Sequence, residues 1–222
     1  MVGDELTLSK IGIITFHSAY NYGSVLQAFA TQTFIKKLGS ENEIINYRLD
    51  EQRRVYSNLR FNYGYKEFIK DLSLLPIYGR RNIRKEKFET FLFENIDASD
   101  ICRTPEDVRK IWDKYPTIIS GSDQIWNKHS LELEHIDWNF MDPYLLKGYH
   151  GKKISYASSI ANMNDWEIKR ILPEINDFAL LSMREETSAK KVSNYLKRNV
   201  ISVLDPTFLL TKEEWLAPLR KT

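Results

Sequence analysis

Residues 11–38 read IGIITFHSAYNYGSVLQAFATQTFIKKL, and their pattern decides the fold. An apolar run, Ile11 to Phe16, breaks into the polar turn His17-Ser18-Ala19-Tyr20-Asn21-Tyr22-Gly23-Ser24. A helical pattern follows, with Leu26, Phe29, Ala30 and Phe34 on one face and Gly39 placed as its C-cap. A strand–turn–helix of this kind aims the free N–H groups of the helix N-terminus at the crevice above the strand ends. A purely local reading makes Ser24 the N-cap, puts Gly23 at positive φ and lets Asn21 satisfy nearby backbone. The turn is neither a GxGxxG fingerprint nor a Walker-type phosphate loop, so it makes no case for a nucleotide.

Outward from that unit, apolar runs predict strands over 11–16, 43–47, 116–120, 153–158, 179–183 and 200–204. Helices are predicted over 24–38, 82–94, 105–113, 165–177, 185–197 and 212–216. Thr104, Pro105 and Asp107 form an N-cap, a first-turn proline and a capping-box acid. Strands that are continuous apolar runs are those covered on both faces, and alternation with helices predicts an α/β, doubly wound, mostly parallel Rossmann-like sheet. The expected layout is an extended or disordered tail over 1–10 and a Rossmann-like domain over 11–210. A helical insertion interrupts that domain at about 48–100, and 211–222 begins a connection to a further domain. Within the insertion only Phe68, Ile69, Leu72, Leu74 and Leu75 offer a packable face among Arg, Tyr and Asn.

Composition narrows the function classes. The 32 basic and 30 acidic residues nearly cancel, to a formal +2, which gives no footing for nucleic acid as a partner. Cys102 is the one cysteine, so no internal disulfide forms and a reducing compartment fits. MVGDELTLSK has no apolar secretory core, and no run approaches the ~20 apolar residues of a membrane span. A cytoplasmic location is therefore expected. The stretch from Arg53-Arg54-Val55-Tyr56 to Arg80-Arg81 and Arg84-Lys85 offers charge for peripheral membrane association or a polyprenyl diphosphate. Glu51, Glu67, Asp71, Glu86 and Glu89 dilute it, and a solvated helical face accounts for it as well.

Four motifs sit where strand C-terminal ends place chemistry. They are Asn21-Tyr22-Gly23-Ser24, continuing to Val25-Leu26-Gln27-Ala28; Gly121-Ser122-Asp123-Gln124-Ile125-Trp126; Ser155-Tyr156-Ala157-Ser158-Ser159; and Ser182-Met183-Arg184-Glu185 with Asp205-Pro206-Thr207. In this order they resemble the polysaccharide pyruvyl transferase family, over essentially the whole chain. The family carries an NYG-x-x-LQA-like turn, GSDQxW, SYAxS, a strand end around RE, and DPTxLL closing on EW.

The resemblance implies the N-terminal domain of a glycosyltransferase-B-like architecture, with the active site between two Rossmann-like domains. It implies phosphoenolpyruvate as donor substrate, no cofactor, and a sugar or lipid-linked oligosaccharide as acceptor, in cell-surface polysaccharide biosynthesis. The chain closes at Arg220-Lys221-Thr222, soon after Asp205-Pro206-Thr207, where the family continues. The donor-binding residues of a second half are therefore not assigned, and little activity is expected of this chain alone. Two other readings stay open: a sugar-nucleotide glycosyltransferase of the same fold, and a non-catalytic domain binding glycan or a partner.

Ketal formation from an enol phosphate needs a proton for the methylene carbon, stabilisation of an oxocarbenium-like centre and a base at the attacking hydroxyl. Asp123 is the candidate base, with helix capping as its structural alternative. His17 has the titration range of a general acid, or is a turn residue. Arg184 offers a two-pronged fork to carboxylate or phosphate, or pairs with Glu185 or Glu186. Asn21, Tyr22, Gly23, Ser24, Gln27, Ser122 and Gln124 complete the candidate substrate-binding set, Gln27 and Gln124 reading equally as satisfied buried amides. Trp126 and Trp138 suit a sugar face, though core packing is the commoner use of a tryptophan. His129, His135 and His150 lack metal-ligand spacing, and no metal is expected.

Overall fold

The computed structural model describes residues 10–49 and 78–218. Residues 1–9 of the expected tail, positions 50–77 of the expected insertion (Arg53, Arg54 and the Phe68 to Leu75 face included) and positions 219–222 lie outside them.

Six strands are described: β1 (Ile11–Ile14), β2 (Asn42–Ile44), β3 (Thr117–Ser120), β4 (Lys152–Ser155), β5 (Ser182–Met183) and β6 (Ile201–Ser202). β2, β1, β3 and β4 form one sheet in that order, and β5 pairs with β6; every pairing is parallel. Parallel bridges at Ile154–Leu180 and Ser158–Met183 carry the hydrogen bonding from β4 across to β5. The chain is thus α/β with a Rossmann-like parallel sheet, and its winding reverses between β1 and β3. Such a reversal opens a crevice at the strand C-terminal ends.

The helices are α1 (Tyr22–Lys37), α2 (Tyr78–Asn95), α3 (Pro105–Ile111), α4 (Asp165–Asn176), α5 (Glu186–Leu196) and α6 (Lys212–Leu216). Successive side chains of a strand point to opposite faces, and β1 uses this fully. Ile13 packs with Val25, Phe29, Phe88 and Leu92 of α1 and α2. Ile14 belongs to a separate core cluster that also takes in Val108, Ile168, Ile171 and Val192 of α3, α4 and α5. Both isoleucines are wholly buried, so the sheet is covered on both sides, as its apolar strands require.

Side chains cap the starts of α1, α3, α4 and α6, but not that of α5. Thr104 and Asp107 make the full capping box of α3, with Pro105 in its first turn, and Asn164 with Glu167 does the same for α4. α1 departs from expectation, because Asn21, not Ser24, is its N-cap and the helix begins two residues earlier, at Tyr22. The Asn21 side chain accepts from the Gly23 amide at 2.8 Å, which frees the Ser24 hydroxyl. Gly23 lies inside the first turn, while Gly39, at φ 83°, takes the left-handed position just after α1.

The ladders are also shorter than the apolar runs. Thr15 and Phe16 lie beyond β1, Thr15 bonding to the loop after β3 and the Phe16 carbonyl accepting from Gln27, and the pairing of β6 stops at two exposed residues on the sheet's edge. Cys102 is buried, and burial pushes its thiol up to about 11.

Two substitutions check this division of labour in urea unfolding. Ile14→Ala is expected to cost about 2–5 kcal/mol, as for other buried aliphatic truncations. Lys37→Ala, which removes an exposed pair with Glu214, is expected to cost under about 1 kcal/mol.

Candidate active site

The exits of β1, β3, β4, β5 and β6 meet above the sheet, and Gln27 holds the first two. It is buried one turn into α1, and its Nε2 shares two N–H groups among Thr15 Oγ1 at 2.8 Å, the Ser24 carbonyl at 2.9 Å and the Phe16 carbonyl at 3.2 Å. Its Oε1 accepts from the Ser122 amide at 3.2 Å. Thr15 Oγ1 in turn donates to the Ser122 carbonyl at 2.8 Å. The amide of Gln27 is therefore hydrogen-bonded to the scaffold on both its nitrogen and its oxygen.

The loop after β3 is pressed against that after β4. A Cβ at Gly121 would stand 2.1 Å from the Tyr156 carbonyl oxygen at φ 126°, so only glycine fits. Asp123 follows at φ 79°, a conformation Asp tolerates better than most residues. It caps no helix. Its Oδ1 accepts from the Gln124 amide at 2.8 Å and its Oδ2 from the Ser24 hydroxyl at 2.7 Å. Ser24 comes from the first turn of α1, so this bond spans the reversal between β1 and β3.

Arg184 arrives from β5. Its Nε donates to Glu185 Oε1 at 3.1 Å, and its Nη1 stands 3.4 Å from Asp205 Oδ2 and 3.9 Å from Asp123 Oδ1. Burial works against its charge, but the hydrogen bond and charge of Glu185, then Asp123 and Asp205, outweigh that and raise its pKa. Ser122 Oγ lies 3.0 Å from the Ala157 carbonyl and 3.3 Å from Asp205 Oδ2, closing the ring of contacts. Asp205 is fixed by the Thr207 amide and hydroxyl at 3.0 and 2.8 Å. Burial and the charge of Asp205 also raise the pKa of the Tyr156 phenol. Asp205 and Tyr156 were absent from the candidate set; the signal for both was present, as polar residues directly after a strand.

Ser24, Ser122, Asp123 and Arg184 are thus brought together. Gln124 borders them, with its Oε1 accepting from Asn127 Nδ2 at 2.9 Å. Asn21 and Tyr22 are exposed at the helix start, and Tyr22 lies over Phe88 with ring centroids 4.8 Å apart. His17 is set apart. Its Nε2 lies 2.9 Å from Asn46 Oδ1, its Nδ1 lies 3.2 Å from the Thr15 carbonyl, and burial lowers its pKa to about 4. A ring held there is unprotonated at neutral pH, which suits a positioning role better than proton donation. Trp126 is core, packed on Phe178 and donating to the Tyr144 carbonyl at 2.9 Å. Trp138 is half-buried under the guanidinium of Arg170.

A family model described as polysaccharide pyruvyl transferase matches residues 21–222, from the cap of α1 through every strand exit after it. The chain belongs to the polysaccharide pyruvyl transferase family. Neither curated proteins nor solved structures give a match. In this family member, the match takes in Ser24, Ser122, Asp123, Arg184 and Asp205 together. Among the described residues no group of three or more His, Cys, Asp or Glu side chains is placed to hold a metal ion. No described helix is long and apolar enough to cross a membrane.

The buried imidazole of this transferase makes a pH prediction. The unfolded chain binds a proton at His17 near pH 6.5 and the folded chain only near 4, so this share of stability is complete above about 6.5 and drains away toward 4. Between pH 7 and pH 5 its loss amounts to about 2 kcal/mol. Urea unfolding of the parent and of His17→Gln at both pH values checks it, the variant being expected to lose about 2 kcal/mol less on acidification. An equal loss in the two proteins would count against the depressed ring.

Proposed function

We propose that the crevice carries out transfer of a pyruvyl group from phosphoenolpyruvate to a sugar hydroxyl pair of a polysaccharide, forming a pyruvate ketal and releasing phosphate. The observation that carries this reading is the Ser24–Asp123–Arg184–Asp205 cluster at the topological reversal of the sheet.

The chemistry sets what each group does. The attacking oxygen needs a base, and Asp123 is fixed on both carboxylate oxygens by donors from separate elements, which holds its remaining lone pairs in place for a hydroxyl proton. Of the two hydroxyl protons lost by the sugar, one ends on the methylene carbon, which becomes the ketal methyl. The other leaves with phosphate. Asp205 faces the same space and suits the second hydroxyl, with Ser122 beside it.

Charge divides the labour between acceptor and donor. Three carboxylates surround the one guanidinium of Arg184, so the cluster favours neutral hydroxyls over a donor bearing both phosphate and carboxylate. Among the described residues Arg184 donates through Nε and Nη1, and its Nη2, which forms no hydrogen bond to them, can take one oxygen of the donor. The remaining cations are then expected from outside the cluster, in keeping with this chain forming the acceptor wall of a two-domain, glycosyltransferase-B-like cleft.

Asp123→Asn in the active transferase tests the assignment. It keeps the shape and removes the base, so kcat for phosphate release dependent on both substrates is expected to fall about 10²–10⁴-fold. The melting temperature should stay close to the parent's. An unchanged kcat would remove Asp123 from the chemistry, and an absence of acceptor-dependent phosphate release in the parent would favour a non-catalytic glycan-binding role.

A further inference from the structure

The sheet has two edges, and the chain treats them differently. Along β2 the edge is closed by residues 97–102. The Ile44 amide donates to the Asp97 carbonyl, the Ser99 amide to the Ile44 carbonyl and the Cys102 amide to the Asn46 carbonyl, each at 2.9 Å. The other edge is β6. Its Ile201 amide and the following Val203 amide donate inward, to the Leu181 carbonyl at 3.4 Å and the Met183 carbonyl at 3.0 Å. Successive residues of a strand turn their backbone groups to opposite sides, so the N–H and C=O of Ser202 point away from β5.

Ser202 is exposed, and so are the apolar side chains around it: Ile201 at 51%, Leu204 at 67% and Phe208 at 72%. Leu180, two residues before the Ser182 that pairs with Ile201, is 59% exposed and continues the patch inward. Single exposed apolar residues are ordinary, but a contiguous group beside an outward-facing strand edge is a template for another strand.

We infer that β6 pairs with the β6 of a second copy of this chain, antiparallel about a twofold axis at Ser202, joining two sheets into one. The local sequence is complementary to itself in that arrangement. It reads Lys197-Arg198-Asn199-Val200-Ile201-Ser202-Val203-Leu204-Asp205, with cations at one end, a carboxylate at the other and apolar residues between. Antiparallel pairing sets the Lys197-Arg198 end of each copy alongside the Asp205 end of the other, whereas a parallel pairing would bring like charges together. The two Ser202 residues exchange N–H and C=O across the axis, and Val200 and Leu204 do the same on either side. Ile201 then lies across from Val203, which covers apolar surface that each copy leaves exposed. The join also holds the strand that leads into Asp205. It is a small interface, at or below the ~1,200 Å² of weak complexes, so dissociation is expected at about 1–100 µM.

Sedimentation equilibrium of the intact transferase tests this, because the average mass should rise from one chain toward two over about 1–500 µM. Ser202→Pro removes an N–H that β5 does not use, and proline is tolerated where a strand edge faces outward. It should weaken the dimer at least about tenfold and leave the melting temperature of dilute protein near the parent's. Charge reads the register independently of proline: Ser202→Glu and Ser202→Lys should each stay monomeric, and an equal mixture of the two should dimerise. Cys102, the one cysteine, is buried, so Ser202→Cys supplies an accessible thiol. Its Cα would stand about 5.5 Å from that of its mate, within disulfide range. Mild oxidation should then link two copies of Ser202→Cys and leave the exposed control Glu134→Cys unlinked. A single-chain mass at every concentration would overturn the inference and leave this edge to a strand of another partner. A dimer unaffected by Ser202→Pro and Ser202→Glu, or cross-linking as efficient at position 134 as at 202, would overturn it equally.

Discussion

One buried amide, that of Gln27, fixes the relation between the β1 and β3 exits. Strands β1 and β3 are neighbours in the ladder, and beyond its end at Ile14 and Ser120 their exits are held by the Gly121–Ile14 and Thr15–Ser122 bonds together with Gln27. Gln27 bonds to Thr15, Phe16 and Ser24 on one side and Ser122 on the other. Each such bond is worth about 1 kcal/mol net, yet leaving a buried partner unmet costs about 1–3 kcal/mol, so the set behaves as a unit. Everything chemical here hangs on that unit, because Ser24 and Asp123 are the next side chains along the two segments it joins.

Electrostatics then shapes what the crevice accepts. A lone guanidinium amid three carboxylates is well held, since each partner favours its charge. It also leaves the wall net negative. Sugars, which are neutral and rich in donors, suit such a wall; a donor with two acidic groups does not, unless cations approach from elsewhere.

Much of this was legible in the sequence where the causes are local. The 3.6-residue period placed the helices and continuous apolar runs placed the strands, and Thr104-Pro105-Glu106-Asp107 announced the start of α3 because all its bonds lie within four residues. The start of α1 was read two residues late, since Asn21 and Ser24 are both good caps and only Asp123, 99 positions away, draws Ser24 elsewhere. His17 was weighed as an acid because its partner, Asn46, lies 29 residues on, and burial is a tertiary property. Gln27 and Asp205 traded places for the same reason: the first is consumed by four long- and short-range bonds, and the second reaches Ser122 and Arg184 only once β6 has joined the sheet. Local spacing found the strand exits, and tertiary contact decided which side chains at those exits remain available.

The central claim is that Gln27 acts by placing Asp123 and Ser24, without touching substrate. A double-mutant cycle of Gln27→Leu and Asp123→Asn, read as kcat/KM in the active transferase well below the melting point of the weaker variant, tests it most directly. If positioning is the role, the double variant should be little worse than Asp123→Asn alone, giving a coupling of about 1 kcal/mol or more. Losses that simply multiply, with no coupling between the two positions, would contradict it.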